Sequence, residues 1–287
     1  MRFLVIVLAA GVAACASQSR TDGGDPGALQ WVQVFNGRGL DGWGPKFAGY
    51  ELGVNLHETF RVADGMLQVR YDRWPAFGGE FGHLFYRPRA FSRYLIAAEY
   101  RFVGEQVRGA GPALGWAIRN NALMLHSQSP ESMALGQDFP ISLEAQLLGG
   151  LGAGRRTTAN LCTPGTHVLM NDTLVTNHCI NSTSATLDGD QWVRVEVLVL
   201  GDSILKHIVN GDTVLVYTGP RMGGGMANNT QPGVLQDGKP LSSGYITIQA
   251  ETAPIDFPRI ELLDLEGCRD VDQCIRASPS DAVRGPG

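Results

Sequence analysis

Apolar and polar residues alternate over most of the chain, and this two-residue period is typical of β-strands. Two hairpins stand out at Asp64-Gly65 and Asn210-Gly211, because both dipeptides readily adopt the positive φ angles of a two-residue turn. Strands are predicted at 60–70, 92–103, 192–201, 203–217, 244–251 and 256–267. The pattern therefore predicts an all-β protein with antiparallel pairing.

Helical periodicity is nearly absent. One short helix is expected at Ser129–Leu135, where Ser129 can cap and Pro130 can open the first turn. No repeat and no domain boundary interrupts residues 31–267, which favours a single β-sandwich or jelly roll. Residues 268–287 are expected to form a short C-terminal tail with a disordered end.

The stretch from Leu114 to Leu148 carries more polar groups than a sheet interior should. In its last strand, Leu143 and Leu147 point to one face and Glu144 and Gln146 to the other. The polar face is either an ordinary solvated surface or the lining of a groove, and the alternation alone leaves both interpretations open.

The N-terminus has the pattern of a targeting segment. Arg2 precedes the apolar run 3–14, which is shorter than a membrane-spanning helix and ends at Cys15 in a lipobox-like Val-Ala-Ala-Cys. We expect residues 1–15 to be a lipoprotein signal peptide with Cys15 lipidated, and residues 16–30 to be a flexible tether. An ordinary signal peptide is the alternative. The protein is then an exported bacterial lipoprotein of the outer membrane, periplasm or cell surface, held to the membrane through its lipid alone.

Charge and cysteine content narrow the class further. The 287 residues carry a net charge of −5 without a basic stripe, so no nucleic-acid partner is expected. With Cys15 assigned to lipid, four of the five cysteines remain. Sequence proximity in an oxidising compartment predicts the disulfides Cys162–Cys179 and Cys268–Cys274. Neither pair has zinc-knuckle spacing, so no metal site is expected there.

Six segments in order resemble the bacterial 3-keto-disaccharide hydrolase domain family. They are VFNGRGLDGW at 34–43, FRVADGMLQV at 60–69, the Arg119 that ends GWAIR, Glu-x-Gln in LEAQLL, HIVNG at 207–211, and IQAE with IDF at 248–257. The resemblance covers about residues 31–267 and implies a concanavalin-A-like jelly roll of two curved antiparallel sheets. One departure is Glu251, where the family often has a histidine.

The resemblance implies a glucoside substrate whose C3 carbon is a ketone. The ketone acidifies the C2 proton, so a base can remove it, the C1 substituent can leave by elimination, and water can then add. This route needs a base at C2, an acid at the leaving oxygen and hydrogen-bond donors at the C3 oxygen. No redox cofactor is implied, because a separate sugar oxidoreductase would make the ketone; a divalent metal ion stays open.

Glu144 is the first candidate for the base, or else a sugar or metal ligand, because its mid-strand position would desolvate it and raise its pKa. His126 and His207 are the further acid–base candidates, although His207 could also be a satisfied core residue. The resemblance and the polar faces together mark the sugar-binding candidates, which are Arg119, Asn121, Gln146, Gln249 and His178. Arg119 would polarise the C3 oxygen or form a salt bridge.

Some aromatic residues are ambiguous from sequence. Trp43, Trp74 and Trp116 could stack on sugar rings, although most tryptophans in a β-sandwich lie in the core. His167 could lie at a groove rim, and His57 and His83 could be functional or structural. The main prediction is cleavage of 3-keto-glycosides; a non-catalytic glycan-binding module and a structural surface lipoprotein are the alternatives.

Overall fold

The computed structural model describes residues 29–280. The predicted signal peptide, Cys15, most of the tether and residues 281–287 lie outside the described residues. Seventeen strands are present: β1 Trp31–Gln33, β2 Trp43–Phe47, β3 Phe60–Ala63, β4 Met66–Val69, β5 Gly82–Phe91, β6 Arg93–Phe102, β7 Asn120–Ser127, β8 Leu143–Leu148, β9 Asn160–Cys162, β10 Thr166–Met170, β11 Thr173–Val175, β12 Cys179–Ile180, β13 Val193–Leu200, β14 Ile204–Val209, β15 Asp212–Met222, β16 Gly244–Ala250 and β17 Ile255–Asp264. The helices are short: three 3₁₀ turns at Leu56–Glu58, Pro112–Ala117 and Pro130–Ser132, and helix α1 at Val271–Ala277.

The strands form two antiparallel sheets that pack face to face. The ten-stranded sheet has the order β11-β10-β15-β14-β13-β6-β17-β4-β3, and β1 also pairs with β17. The seven-stranded sheet has the order β12-β9-β8-β7-β16-β5-β2. The prediction of an all-β jelly-roll sandwich is confirmed.

Both sheets contribute alternate residues to one apolar core. On β6, Tyr94, Ile96 and Ala98 face this core, whereas Leu95 lies in a separate cluster on the outer face of the ten-stranded sheet. The two predicted hairpin turns are present, with φ of 54° and 73° at Asp64-Gly65 and 49° and 94° at Asn210-Gly211. Local chemistry therefore fixes these turns as the sequence predicts.

The C-terminal segment differs from the predicted tail. Helix α1 covers the outer face of the ten-stranded sheet, where Val271 and Ile275 pack near Leu95, Leu198 and Leu263. The Asp270 side chain caps the helix by accepting from the Gln273 backbone N–H at 2.9 Å. Residues 271–277 of the predicted C-terminal tail form this helix, because a cap, a disulfide and an apolar contact together order a segment too short to show periodicity. The helix predicted at Ser129–Leu135 is only the 3₁₀ turn Pro130–Ser132, which has no side-chain cap.

Both predicted disulfides, Cys162–Cys179 and Cys268–Cys274, are present. The first joins β9 to β12 at one edge of the seven-stranded sheet, and the second closes the loop that carries α1. Within residues 29–280, no helix has the length and hydropathy to cross a membrane.

Candidate functional site

A groove of about 760 Å³ lies on the outer face of the seven-stranded sheet. Strand β8 forms part of its floor: Leu143, Ala145 and Leu147 belong to the core between the sheets, while Glu144 and Gln146 line the groove. The polar face of this strand is therefore the lining of a groove rather than an open solvated surface.

Loops and one short helix build the walls of the groove. The 3₁₀ turn Pro112–Ala117 places Trp116 at the rim, and the loop after β15 contributes Met226 and Asn228. Asp138 ties two of these loops together, because its carboxylate accepts from the backbone N–H and the side-chain amide of Asn228 at 2.8 and 2.7 Å. The remaining lining residues are Phe81, Leu114, Gly115, Phe139, Leu148, Leu151, Arg156, Cys162, Pro164, His178, Cys179 and Glu251.

Two buried carboxyl groups, Glu144 and Glu251, face the same groove. Burial raises the pKa of Glu144 to about 8, and burial together with the nearby Glu144 carboxyl raises the pKa of Glu251 well above its usual range. Oε2 of Glu251 is buried without a hydrogen-bond partner among the described residues. Both carboxyls therefore favour the protonated form at neutral pH, and when one of them ionises as the pH rises, the pair offers an acid and a base side by side.

Gln146 follows Glu144 on the same face, and its amide is oriented from the neighbouring strand. Its Oε1 accepts from Nδ2 of Asn160 at 3.1 Å. Asn160 is itself held by Thr157 and by the Ser182 backbone N–H, which donates to its Oδ1 at 2.9 Å. The fixed acceptor leaves the Gln146 amide N–H₂ group as a donor for a bound hydroxyl.

The disulfide Cys162–Cys179 forms the wall next to Glu144, because Cys162 is the register partner of Glu144 on β9. His178 precedes this bond in the chain and lines the groove, and burial lowers the pKa of its ring. Within residues 29–280, the group of side chains close enough together to hold a metal ion is Cys162, His178 and Cys179. Since the two sulfurs are bonded to each other, His178 is the one free ligand of that group.

His207 does not lie at the groove. It lies on the same core-facing side of β14 as Leu205 and Val209. Its ring nitrogens contact the Ala159 carbonyl at 2.9 Å and the Tyr217 hydroxyl at 3.0 Å. Burial lowers its pKa to about 4. The structure thus makes His207 a neutral, satisfied core residue, and the expectation that it converges with Glu144 is wrong.

His126 is also directed away from the groove. It has a φ of 49°, and the pairing of β7 with β16 shifts register beside it, which interrupts the alternation of faces. Its Nε2 contacts the Gly201 carbonyl at 3.1 Å, and its ring meets Tyr94 of the opposite sheet edge to face. Burial lowers its pKa to about 4. The predicted convergence of both histidines with Glu144 therefore fails at His126 as well.

Two predicted sugar contacts, Arg119 and Asn121, have structural partners outside the groove. Arg119 forms a salt bridge with Asp190 at 2.7 Å, so its predicted alternative holds. Asn121 is the register partner of Leu147 on the core face, and its Nδ2 donates to the Gln249 carbonyl at 2.6 Å. It fastens β7 to β16 rather than facing a ligand.

Gln249 lies beside the carboxyl pair but is buried. It forms a register row with His83 on β5 and Lys46 on β2. Neither the Gln249 amide atoms nor the His83 ring nitrogens have a hydrogen-bond partner in the described part of the chain. Burial and the Lys46 charge lower the pKa of His83 to about 3, so its ring is neutral. The predicted direct contact between Gln249 and a sugar therefore requires movement of the covering residues, of which Phe139 packs on His83 with ring centroids 5.5 Å apart.

The three tryptophans predicted as possible sugar-stacking residues divide into core residues and a groove residue. Trp43 and Trp74 are core residues whose indole N–H groups donate to the Val34 carbonyl and the Thr59 hydroxyl. Trp116 alone of the three is half exposed and lines the groove. His57 packs against Trp74, and His167 lies on β10, so neither joins the groove lining.

Glu251 and Arg156 line the groove and were not among the sequence candidates. Glu251 follows β16 and meets Glu144 only through the fold; the one available signal was that an acid stands where the resembled family often has a histidine. Arg156 donates to the Gly149 and Trp116 carbonyls at 2.7 and 3.0 Å, which holds the Trp116 helix against the end of β8. Its position in a loop gave no pattern from which to predict it.

A second cavity of about 690 Å³ lies elsewhere, lined in part by Arg61, Arg70 and Asp72. Its charges are largely neutralised by ion pairs, Arg61 with Asp72 and Arg70 with Asp256. The groove differs because neither Glu144 nor Glu251 has an ion-pair partner within residues 29–280, and this makes it the better candidate for chemistry.

Comparison with solved structures gives matches of low similarity. A presumed glycosyl hydrolase from Parabacteroides distasonis ATCC 8503 is 15% identical with a TM-score of 0.47, over 82% of this chain and 84% of that one. The carbohydrate-binding module CBM66 from Bacillus subtilis is 11% identical with a TM-score of 0.39, over 83% of this chain and 99% of that one. No curated protein matches the chain.

A family model matches residues 30–263, which contain both sheets and every residue of the groove. The family is described as the 3-keto-alpha-glucoside-1,2-lyase-like domain. The matched segment begins just before β1 and ends within β17. The chain is a carbohydrate-active domain that belongs to this family.

Proposed function

We propose that the protein cleaves 3-keto-glucosides by elimination and subsequent hydration, with the Glu144–Glu251 pair as its acid–base machinery. The observation that carries the proposal is the pair itself: two buried carboxyls without a cationic partner facing one groove. Family membership supports the substrate class. A structural sheet surface would not retain two such groups, because each costs free energy on burial.

In the proposed first step, Glu144 removes the C2 proton, which the adjacent C3 ketone has acidified. The electron pair left at C2 forms the C1–C2 double bond while the C1–O bond breaks, and Glu251 gives its proton to the leaving oxygen. The products are an alcohol and an unsaturated 3-keto sugar. The acid role goes to Glu251, because its Oε2 is buried without a hydrogen-bond partner among the described residues and so favours the protonated form; the base role goes to Glu144.

Water then adds to the unsaturated sugar, with the oxygen bonding to C1 and a proton returning to C2. The net result is hydrolysis. The Gln146 amide supplies a hydrogen-bond donor in the groove, which the developing enolate oxygen at C3 requires.

The direct test is incubation of the full chain with methyl 3-keto-glucoside, following methanol release and the ultraviolet absorbance of the conjugated enone. Deuterium at C2 should slow the reaction, since the C2–H bond breaks in the first step. The matched control is methyl glucoside, which lacks the ketone and should be inert. Binding of unoxidised glycan, without turnover of either the α or the β anomer of methyl 3-keto-glucoside, would overturn the proposal in favour of a lectin-like protein.

The same proposal includes a location outside the cytoplasm, where a separate oxidoreductase's keto-sugar product would meet this protein. Its support is the pair of disulfides, because such bonds persist in oxidising compartments. Labelling of the expressed chain with a radioactive fatty acid, compared with a Cys15→Ser variant, tests the lipid anchor.

A further inference from the structure

The groove surface changes character along β8. Glu144 and Gln146 are followed on the same face by Leu148, and Leu151 comes shortly after the strand ends. At about 3.3 Å per residue, Leu148 lies some 13 Å along the strand from Glu144. That separation exceeds one sugar ring, so a group attached to the reacting glucose would extend to this apolar end.

The apolar end is exposed to solvent, which is unusual for residues of this type. Trp116 is 50% exposed and Leu151 is 49% exposed, and both line the groove together with Leu114 and Leu148. Clusters of exposed apolar side chains on a soluble domain commonly mark a binding surface. Their continuity with the carboxyl pair points to the part of the substrate next to the scissile bond.

The polar group at this end is already engaged. Both Nη atoms of Arg156 donate to backbone carbonyls, those of Gly149 and Trp116. The flanking Leu114, Leu148 and Leu151 side chains offer no hydrogen bond. A sugar placed here would lose hydrogen bonds with water and regain few from the wall, whereas an aryl or alkyl group would lose none.

We propose that this end, formed by Leu114, Trp116, Leu148 and Leu151, is an aglycone subsite that selects 3-keto-glucosides with an aromatic or otherwise apolar leaving group over 3-keto-disaccharides. Trp116 is its specificity-determining residue, because its half-exposed ring lines this end and the Arg156 bond to its carbonyl holds its backbone in place. The inference rests on the proposed function, since the subsite acts on the leaving group of that reaction.

The test compares benzyl, methyl and glucosyl 3-keto-glucosides. Benzyl alcohol and methanol are of similar acidity, so the phenyl ring is the main difference between the first two. We expect kcat/KM for the benzyl substrate to exceed that for the methyl and glucosyl substrates by about tenfold or more. Trp116→Ala should lower the benzyl value by about tenfold and change the methyl value less than about twofold, while Trp116→Phe should keep most of the preference.

The matched control is Trp192→Ala, which removes a tryptophan that is also exposed but lies under Arg101, outside the groove lining. This variant should retain the benzyl preference. Equal or better cleavage of the glucosyl substrate, or an equal loss for all three substrates in Trp116→Ala, overturns the subsite while leaving the reaction intact. Failure of all three substrates in the wild-type protein overturns the proposed function itself.

Discussion

Two regions of this molecule bury titratable side chains, and they do so in opposite ways. Between the sheets, His207 contacts the Ala159 carbonyl and the Tyr217 hydroxyl through its two ring nitrogens. In the groove, Glu251 has a buried carboxyl oxygen without a hydrogen-bond partner, and its neighbour of like charge is Glu144. Burial is common to His207 and Glu251, but His207 has partners for both ring nitrogens, whereas Glu251 faces a groove with an oxygen available to a ligand.

The difference shows that a buried titratable residue is not by itself a functional candidate. In the core, the neutral His207 ring links neighbouring segments through hydrogen bonds that are already made. In the groove, two buried acids side by side would reduce stability unless a ligand or a reaction used them, which is the arrangement expected where function opposes stability.

The largest expected effect is on catalysis, from Glu144→Gln. Removal of the base should lower kcat for methyl 3-keto-glucoside by about 10²–10⁴-fold, because the C2 proton loses its acceptor. The melting temperature should stay the same or rise, since a neutral amide replaces a buried acid. Steady-state kinetics and a thermal melt check both parts, with Glu131→Gln as the control because Glu131 is paired with Arg87 at the surface. A rate within threefold of wild type would remove Glu144 from the mechanism.

Glu251→Gln separates the acid from the base. For a methanol leaving group, loss of the proton donor should lower kcat by about 10²-fold or more. For a 4-nitrophenol leaving group, which departs without protonation, the loss should be less than about tenfold. Equal losses for the two leaving groups would contradict the assignment of Glu251 as the acid.

In the core, His207→Phe should change stability instead of catalysis. The Tyr217 hydroxyl and the Ala159 carbonyl each lose a partner, at a cost of about 1–3 kcal/mol per buried group. Urea unfolding should therefore show a lower midpoint, while kcat per folded molecule stays close to wild type. A large fall in kcat with no change in midpoint would restore His207 as a catalytic candidate.

A moderate effect is expected from Gln146→Ala. The variant removes one oriented donor from the groove, so KM should rise by up to about tenfold with a smaller change in kcat. Asn160→Ala tests the same contact indirectly, because it frees the Gln146 amide to rotate. Unchanged kinetics in both variants would place the sugar away from Gln146.

The smallest effect is a pair of opposite pH slopes in the free energy of unfolding. Burial raises the pKa of Glu144 from its ordinary 4.5 to about 8, so its contribution is complete below pH 4.5 and is lost as pH rises through 8. Burial lowers the pKa of His207 from 6.5 to about 4, so its contribution is complete above pH 6.5 and is lost as pH falls through 4. Urea midpoints between pH 4 and 9 should show Glu144→Gln flattening the alkaline side and His207→Phe the acidic side. If the two variants gave the same dependence of urea midpoint on pH, the proposed difference between the buried acid and the buried histidine would be contradicted.

Features encoded locally were predictable from the sequence. The Asp64-Gly65 and Asn210-Gly211 turns follow from residue chemistry, and the grouping of Glu144 and Gln146 on one face of β8 follows from alternation. The two disulfides were predictable because each pair is near in sequence. These features need no knowledge of how distant segments meet.

The rest depends on long-range pairing and on local breaks in the pattern. Glu251 and Glu144 lie more than a hundred residues apart, so their proximity exists only in the fold. At His126, a positive φ and a shifted register reverse the face that alternation predicts. His207 had a signal that pointed the other way, because it shares the face of Leu205 and Val209.

Helix α1 also has a consequence for how the domain is presented. The backbone N–H of Leu29 and the indole of Trp31 both donate to Ser278, just after α1, at 2.7 Å each. Residues near the two ends of the described range thus meet against the outer face of the ten-stranded sheet, on the far side of the sandwich from the groove. A tether attached ahead of Leu29 would hold the domain at the face opposite the groove. The mouth of the groove would then open toward the surrounding medium.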